Sequence, residues 1–134
     1  MALLKRSARA AEASRSASRA KSLDELGSIA FAGVEPIRDV RWRRRVKVAG
    51  RVRAVRVQPW AEIGSLEVTL GDGTGGLTVV FLGRRQISGI GLGSKLTVEG
   101  MVTAVRGQLA IMNPDYQLLP NKVVLPFWDG TTTG

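Results

Sequence analysis

The sequence contains no cysteine and no histidine. Without cysteine, it cannot form disulfides, thiolate metal sites, iron–sulfur clusters or a cysteine nucleophile. Without histidine, it lacks the most frequent general base, the commonest metal ligand and every His-containing triad. A reaction would have to depend on carboxylates, lysine, tyrosine or serine alone. We therefore expect no catalytic residue, no metal site and no cofactor.

Targeting segments and long apolar runs are also missing. Lys5 and Arg6 interrupt the short apolar start, and nothing like a signal-peptide core follows them. No apolar run approaches the roughly 20 residues that a membrane-spanning helix needs. These features predict a cytoplasmic protein that makes no membrane contact.

Positive charge is the feature that the sequence has in excess. Its 134 residues include 20 Lys and Arg against 11 Asp and Glu, which gives a formal net charge of +9. Such an excess points to a polyanion as partner, with nucleic acid as the first candidate. Residues 36–118 hold 13 of the basic and 6 of the acidic residues, so most of the excess lies outside the N-terminal segment.

The length allows one domain with tails. Residues 1–21, rich in Ala, Ser, Arg and Lys, are predicted to be a flexible basic arm, and a solvated tail without a role is the alternative. Residues 22–35 are predicted to form a short helix, from Leu23 to about Phe31, and a linker. Residues 36–118 form the predicted domain, and residues 119–134 form a C-terminal tail.

A period of two residues from Arg45 onward predicts β-structure. Val46, Val48 and Val52 alternate with basic residues, and the phase slips after Arg53, which indicates a long first strand with a sharp bend. Four shorter strands are predicted, with a loop at 58–65, a connector at 83–94 and at most a short helix within it near 84–90. They lie at 66–70, 77–82, 96–102 and 109–112, and Val123–Leu125 could add another. Five short strands with a bent first strand predict a small closed barrel.

A glycine-rich segment, Gly71–Gly76, has the spacing GxGxxG of a dinucleotide-binding loop. That motif needs a helix after it to receive the pyrophosphate, whereas here strands are predicted on both sides. We therefore interpret the segment as a hairpin turn with Asp-Gly chemistry.

Basic residues are concentrated on the first strand. Nine lie between Arg38 and Arg56, and only Asp39 opposes them. The alternation predicts that four of these side chains share one face. They are Arg45, Lys47, Arg51 and Arg53. Four like charges on one face repel each other unless a polyanion is bound, and a solvated face without a ligand is the alternative.

The few aromatic residues receive separate predictions. Phe81 is in phase with Leu77 and Val79, which places it in the core. Trp60 lies in a predicted loop and is either a base-stacking residue or a lid on the barrel end. Trp42 and Tyr116 are predicted to pack at the rims of the barrel.

Five segments in this order resemble known OB-fold domains. They are Val46–Val52, Leu66–Gly75, Leu77–Phe81, Leu92–Gly100 and Leu109–Tyr116. Together they are most similar to the wedge domain of the RecG branch-migration helicase and to small stand-alone actinobacterial OB-fold proteins. The resemblance covers about residues 36–118. It implies an all-β chain with a five-stranded OB-fold Greek-key barrel, and it transfers no catalytic residue.

The resemblance also implies nucleic-acid binding. OB folds usually bind across strands two and three, together with the loops that join strands one to two and four to five. Nine residues are candidates for binding: four on the basic strand, one in each of these two loops, and three basic residues beyond the third strand. They are Arg45, Lys47, Arg51, Arg53, Trp60, Arg84, Arg85, Lys95 and Arg106.

We therefore expect a non-catalytic module that binds single-stranded or structured DNA or RNA. Phosphate contacts should dominate and base stacking should be limited, because the outward positions of strands two and three carry no aromatic residue. The first alternative is a protein–protein adaptor that uses the barrel and the basic arm. An enzyme acting on nucleic acid is the second, and it would need acids clustered around a metal.

Overall fold

The computed structural model describes residues 23–60 and 63–127 of the chain. Helix α1 spans Leu23–Ala30, in agreement with the predicted short helix. A 3₁₀ turn at Ile37–Asp39, which was not predicted, follows it. Within the described ranges no helix is both long and apolar enough to cross a membrane. The predicted basic arm lies outside these ranges.

Six strands make up the rest of the fold. They are β1 (Arg45–Trp60), β2 (Ile63–Gly71), β3 (Gly76–Leu82), β4 (Lys95–Val105), β5 (Gln108–Met112) and β6 (Asp115–Leu119). The pairing order β1-β2-β3-β5-β4 returns to β1, so five strands form a closed ring, and β6 pairs with β4 beside it. The predicted all-β architecture is confirmed.

The ring closes because β1 belongs to both of its sides. Arg51 is opposite Lys95 on β4 and also opposite Gly71 on β2. The register with β2 shifts between Val52 and Ala54, which leaves Arg53 as the extra residue of a β-bulge. The predicted bend and phase slip in the first strand are therefore confirmed at the predicted place.

The core lies inside the ring and follows the alternation of each strand. Each of the five strands contributes at least one residue that is 0% exposed. Examples are Val48, Val68, Val79, Val98 and Ile111. Phe81 is buried, as predicted, and Tyr116 of β6 meets it edge-on with ring centroids 5.6 Å apart.

Several local predictions are wrong. The predicted loop at 58–65 is mostly strand, because β1 continues to Trp60 and β2 begins at Ile63. The connector at 83–94, by contrast, forms turns without a helix near 84–90, in agreement with the prediction of at most a short helix there. Residues 123–125 form no strand, although Val123 and Leu125 are buried.

Strand β6 was missed although its sequence alternates. Tyr116 and Leu118 alternate with Asp115 and Gln117, a pattern typical of a strand. The prediction ended at Asn113 and Pro114, because proline lacks the N–H that continues a ladder. In the structure Asn113 and Pro114 only interrupt the pairing along β4. Before them β5 pairs with Val102–Val105 of β4, and after them β6 pairs with Lys95–Glu99 of the same strand.

Candidate nucleic-acid interface

The outer face of β1 carries the basic residues that the sequence singled out. Val46, Val48 and Val52 are buried toward the core, so the alternate positions Arg45, Lys47 and Arg51 point outward. Arg53 is the bulge residue and is also exposed. The structure therefore places all four predicted side chains on one side of the strand, in two groups with different neighbours.

At the start of β1, carboxylates of other strands face the basic residues. Arg45 forms ion pairs with Glu99 of β4 (Nε to Oε2, 3.5 Å) and with Asp115 of β6 (Nη2 to Oδ2, 3.4 Å). Glu99 is also the cross-strand neighbour of Lys47. We call Arg45 and Lys47, with these two carboxylates opposite them, the acid-paired end of the strand. The formal charges of two positive and two negative side chains cancel there, although Lys47 itself forms no ion pair within residues 23–60 and 63–127.

At the bend of β1, the guanidinium groups of Arg51 and Arg53 lie beside glycines. A Cβ at Gly93 would lie 3.8 Å from Nη2 of Arg51, and a Cβ at Gly71 would lie 2.5 Å from Cδ of Arg53. Glycine at position 71 leaves the space that the Arg53 side chain occupies. Neither arginine takes part in an ion pair within residues 23–60 and 63–127. We call Arg51 and Arg53 the open end of the strand.

Lys95 is directly opposite Arg51, but its ammonium is engaged elsewhere. It donates hydrogen bonds to the carbonyl oxygens of Asn121 (2.6 Å) and Val123 (2.7 Å). These bonds tie the segment after β6 to the sheet, beside the buried Val123 side chain. The position of Lys95 thus indicates a structural role that the sequence did not reveal.

Arg106 lies in the turn between β4 and β5. Arg106 and Gly107 both have positive φ, 49° and 79°, as a two-residue type I′ hairpin requires. The guanidinium pairs with Glu67, whose carboxylate lies on the outer face of β2 and is almost fully buried. Glu67 is the cross-strand neighbour of Val80 on β3. An ion pair therefore covers the middle of the surface through which OB folds usually bind.

Arg84 and Arg85 lie on the connector after β3 and are exposed. Arg85 runs beside Gly64, where a Cβ would lie 3.2 Å from its Nε. Gly64 is separated from Gly71, and so from Arg53, by about 23 Å along β2 at the rise of an extended strand. The structure thus does not bring these two arginines together with the open end. Trp60 pairs with Ile63 through its backbone, and its side chain lies outside the described part of the chain.

The glycine-rich turn after β2 supports the open end. Asp72 is only 1% exposed, and its carboxylate accepts hydrogen bonds from the backbone N–H groups of Thr74 (2.8 Å), Gly75 (3.2 Å) and Ile37 (2.9 Å). It also accepts one from the Thr74 hydroxyl (2.6 Å). The segment is a hairpin turn, as predicted, and it also fastens the 3₁₀ turn to the ring.

Trp42 is the exposed aromatic residue that sequence reasoning placed at a rim. The residue is 55% exposed, and the Arg43 guanidinium stacks on the indole with 4.4 Å between Cζ and the ring centroid. Arg43 has a positive φ of 67°, and its N–H donates to the carbonyl of Val102 on β4. The signal that could have found this contact is an aromatic residue placed directly before a run of arginines.

Acidic residues do not gather into a metal site in the described part of the chain, where no three of them are grouped to hold an ion. Glu99 and Asp115 are cross-strand neighbours and share Arg45 as their partner. Glu67, Asp72 and Glu99 each have a structural partner instead.

Comparisons with known proteins bear on the fold. No family model matches the sequence, and no curated protein matches it. RecG bound to a three-way DNA junction is similar over 63% of this chain, with a TM-score of 0.51 and 18% identity. A replication factor A related protein from Methanobacterium thermoautotrophicum is similar over 64%, with a TM-score of 0.53 and 16% identity. A replication protein A heterotrimer bound to ssDNA gives a TM-score of 0.47, with 13% identity over 68% of this chain and 75% of that chain.

These likenesses define the class of the fold. The closed five-strand ring is an OB fold, and the resemblance to RecG expected from the sequence motifs is confirmed as a likeness of fold. The chain spans 12% of the length of RecG and 90% of the replication factor A related protein. The motor activity of a whole helicase therefore does not follow for this chain.

Proposed function

We propose that this protein is a non-catalytic nucleic-acid-binding module whose main phosphate contacts are Arg51 and Arg53. The observation that carries the proposal is the open end itself. Two exposed guanidinium groups lie on a rigid strand with no carboxylate at ion-pair distance within the described ranges. Other arginines of the predicted set, such as Arg45 and Arg106, already have acidic partners.

The chemistry of guanidinium favours phosphate as the ligand. Its planar N–H groups match two phosphate oxygens at once, and it stays charged at every physiological pH. Arg51 and Arg53 are close in sequence and point to one side of the bend, so they repel each other in the free protein. A phosphate backbone bound between them would relieve this repulsion, which a neutral ligand would not do.

The Glu67–Arg106 ion pair covers part of the outer surface of β2 and β3, which affects the contacts with nucleic acid that we expect there. Thr69 and Thr78 are cross-strand neighbours there, and the Glu67–Arg106 pair lies beside them. These side chains offer no aromatic ring for a base. Binding through the phosphates should therefore be strongly salt-dependent and only weakly selective for sequence.

Arg84 and Arg85 are proposed as a secondary contact. They are exposed beside the β1–β2 hairpin, and no ion pair involves them in the described part of the chain. A ligand that reached them and the open end together would have to span the length of β2. They should therefore contribute to long or branched nucleic acids more than to short ones.

Fluorescence anisotropy with four labelled probes tests the proposal. The probes are a single strand, a duplex, a three-way DNA junction and a structured RNA, each titrated at low and at high salt. The junction is included because RecG, which has a similar fold, was solved bound to one. We expect binding at low salt that weakens steeply as salt rises.

Absence of binding to all four probes at low salt would overturn the proposal. Binding that is unchanged by substitution of both Arg51 and Arg53 with alanine would overturn the assignment of these contacts. A circular dichroism spectrum and a thermal unfolding curve of each variant must match those of the wild type before affinities are compared.

A further inference from the structure

Besides the open end, a second exposed surface lies around Trp42, just before β1. The indole of Trp42 is more than half exposed, and so is Met101 of β4, which is opposite Arg45. The sheet extends to this place, because Val102 exchanges hydrogen bonds with the backbone of Arg43 and Arg44. An aromatic ring is therefore held at the surface by a segment that is itself fixed to the sheet.

Three arginines flank Trp42 in the sequence. Arg41, Arg43 and Arg44 are all exposed, and none takes part in an ion pair within residues 23–60 and 63–127. The Arg43 guanidinium stacks on the indole, and Trp42 is nevertheless 55% exposed. An exposed ring with one guanidinium stacked on it, and two more arginines within two residues in the sequence, matches a nucleotide, which presents a flat base and a negative phosphate together.

We propose that Trp42 is a base-stacking contact for a single-stranded segment of nucleic acid. One unpaired base would stack on the exposed part of the indole, and the neighbouring arginines would bind the adjoining phosphates. This inference rests on the proposed function and adds to it a site just before β1 and beside β4, away from the β2–β3 surface that OB folds usually use. It also gives the protein a preference for unpaired bases, which phosphate contacts alone do not provide.

The site lies just before β1, the strand that carries the open end. Arg45 and Arg51 are separated by about 20 Å at the rise of an extended strand. A ligand that contacts both Trp42 and the open end must cross the acid-paired end, where the formal charges cancel. The two contacts are therefore separate points of attachment for one strand.

Substitution of Trp42 by leucine tests the stacking contact. Trp42→Leu removes the aromatic face and keeps an apolar side chain, and Trp42→Phe keeps a smaller ring. We expect Trp42→Leu to weaken single-strand binding about tenfold, with Trp42→Phe in between, since stacking contributes about 1–3 kcal/mol per base. The slope of log affinity against log salt should stay as in the wild type, because no positive charge is removed.

Two controls separate stacking from other causes. Phe127→Leu removes another exposed aromatic side chain, outside the strands, and should leave binding unchanged. Duplex binding should be the same for Trp42→Leu and the wild type, because paired bases cannot stack on the indole. Unfolding temperatures show whether the variants keep their fold.

Three outcomes, which the measurements distinguish from one another, would contradict either the stacking contact or the proposed function. Single-strand affinity of Trp42→Leu within twofold of the wild type would overturn this inference while leaving the proposed function intact. An equal loss for single strand and duplex would overturn the stacking contact. A wild-type protein that binds no nucleic acid at low salt would overturn the proposed function itself.

Discussion

The two ends of β1 carry the same kind of side chain in opposite electrostatic surroundings. Arg45 and Lys47 face Glu99 and Asp115, which belong to β4 and β6. Arg51 and Arg53 lie beside glycines and form no ion pair within residues 23–60 and 63–127. The number of basic residues on a strand therefore does not measure its attraction for a polyanion, since strands distant in sequence decide how much charge remains.

The ion pairs of the acid-paired end do little for stability. Arg45 and Glu99 are both largely exposed, and such pairs contribute about 0–1 kcal/mol. Their main consequence is to remove positive charge from that part of the surface. The open end keeps its positive charge, because Gly71 leaves room for the Arg53 side chain without adding a charge.

The largest expected effect concerns the turn that supports the open end. Asp72→Ala leaves the buried N–H group of Ile37 and the part-buried N–H groups of Thr74 and Gly75 without their acceptor. We expect the free energy of unfolding to fall by about 3 kcal/mol, because unsatisfied buried donors are costly. Urea denaturation followed by circular dichroism measures this change.

Asp39→Ala is the matched control for that variant. Asp39 is an exposed carboxylate in the adjoining 3₁₀ turn, and its ion pair with Arg38 is 3.9 Å long. Loss of this ion pair should change the free energy of unfolding by no more than about 0.5 kcal/mol. Equal effects of the two substitutions would show that the Asp72 network does not hold the open end in place.

A smaller effect is expected where an arginine has a buried acid as partner. Arg106→Ala leaves the carboxylate of Glu67, whose side chain is 10% exposed, without its cation. The free energy of unfolding should fall by about 2 kcal/mol, because an unpaired buried charge is costly. This variant extends the comparison from exposed pairs to a partly buried pair.

The matched control for Arg106 is Arg84→Ala, an exposed residue with no ion pair in the described part of the chain. It should change stability by less than about 0.5 kcal/mol. Adding Glu67→Gln to Arg106→Ala should restore part of the loss. If the double variant is as unstable as Arg106→Ala alone, the loss does not come from the unpaired carboxylate.

The smallest expected effect comes from removing one acidic partner at the acid-paired end, which makes its charge more like that of the open end. Glu99→Gln removes a negative charge next to Arg45 and opposite Lys47. Nucleic-acid affinity at low salt should rise about threefold, since an exposed charge pair is worth less than about 1 kcal/mol. Anisotropy titration with the single strand measures the rise.

Glu25→Gln provides the control with the same change in net charge. Glu25 is exposed on helix α1, outside the sheet. It should leave affinity unchanged, because the attraction depends on charge near the ligand. An equal rise in both variants would indicate that net charge alone controls binding.

Much of the fold could be predicted from alternation in the sequence. The valines of β1 gave its inward face, and the slip after Arg53 gave the bulge that bends it. The same alternation correctly placed Arg45, Lys47, Arg51 and Arg53 on one side. Local periodicity is sufficient for such features because each strand presents its two faces independently of its partners.

Which charged side chains have partners in the fold could not be predicted in the same way. Glu99 and Asp115 are opposite Lys47 and Arg45 only through pairings of β1 with β4 and of β4 with β6. The Lys95 hydrogen bonds and the Glu67–Arg106 pair also join distant segments. Register between strands far apart in sequence decides these contacts, and a single sequence does not contain that register in readable form.

The salt dependence of two charge-matched double variants tests the central claim most directly. Arg51→Ala with Arg53→Ala, and Arg45→Ala with Lys47→Ala, each remove two positive charges from β1. For a single-stranded probe, the first should lower the steepness of log affinity against log salt by about 1.4, that is about 0.7 per lost phosphate contact. The second should change it by less than half as much. Equal changes in slope, or a larger change for Arg45 and Lys47, would contradict the account.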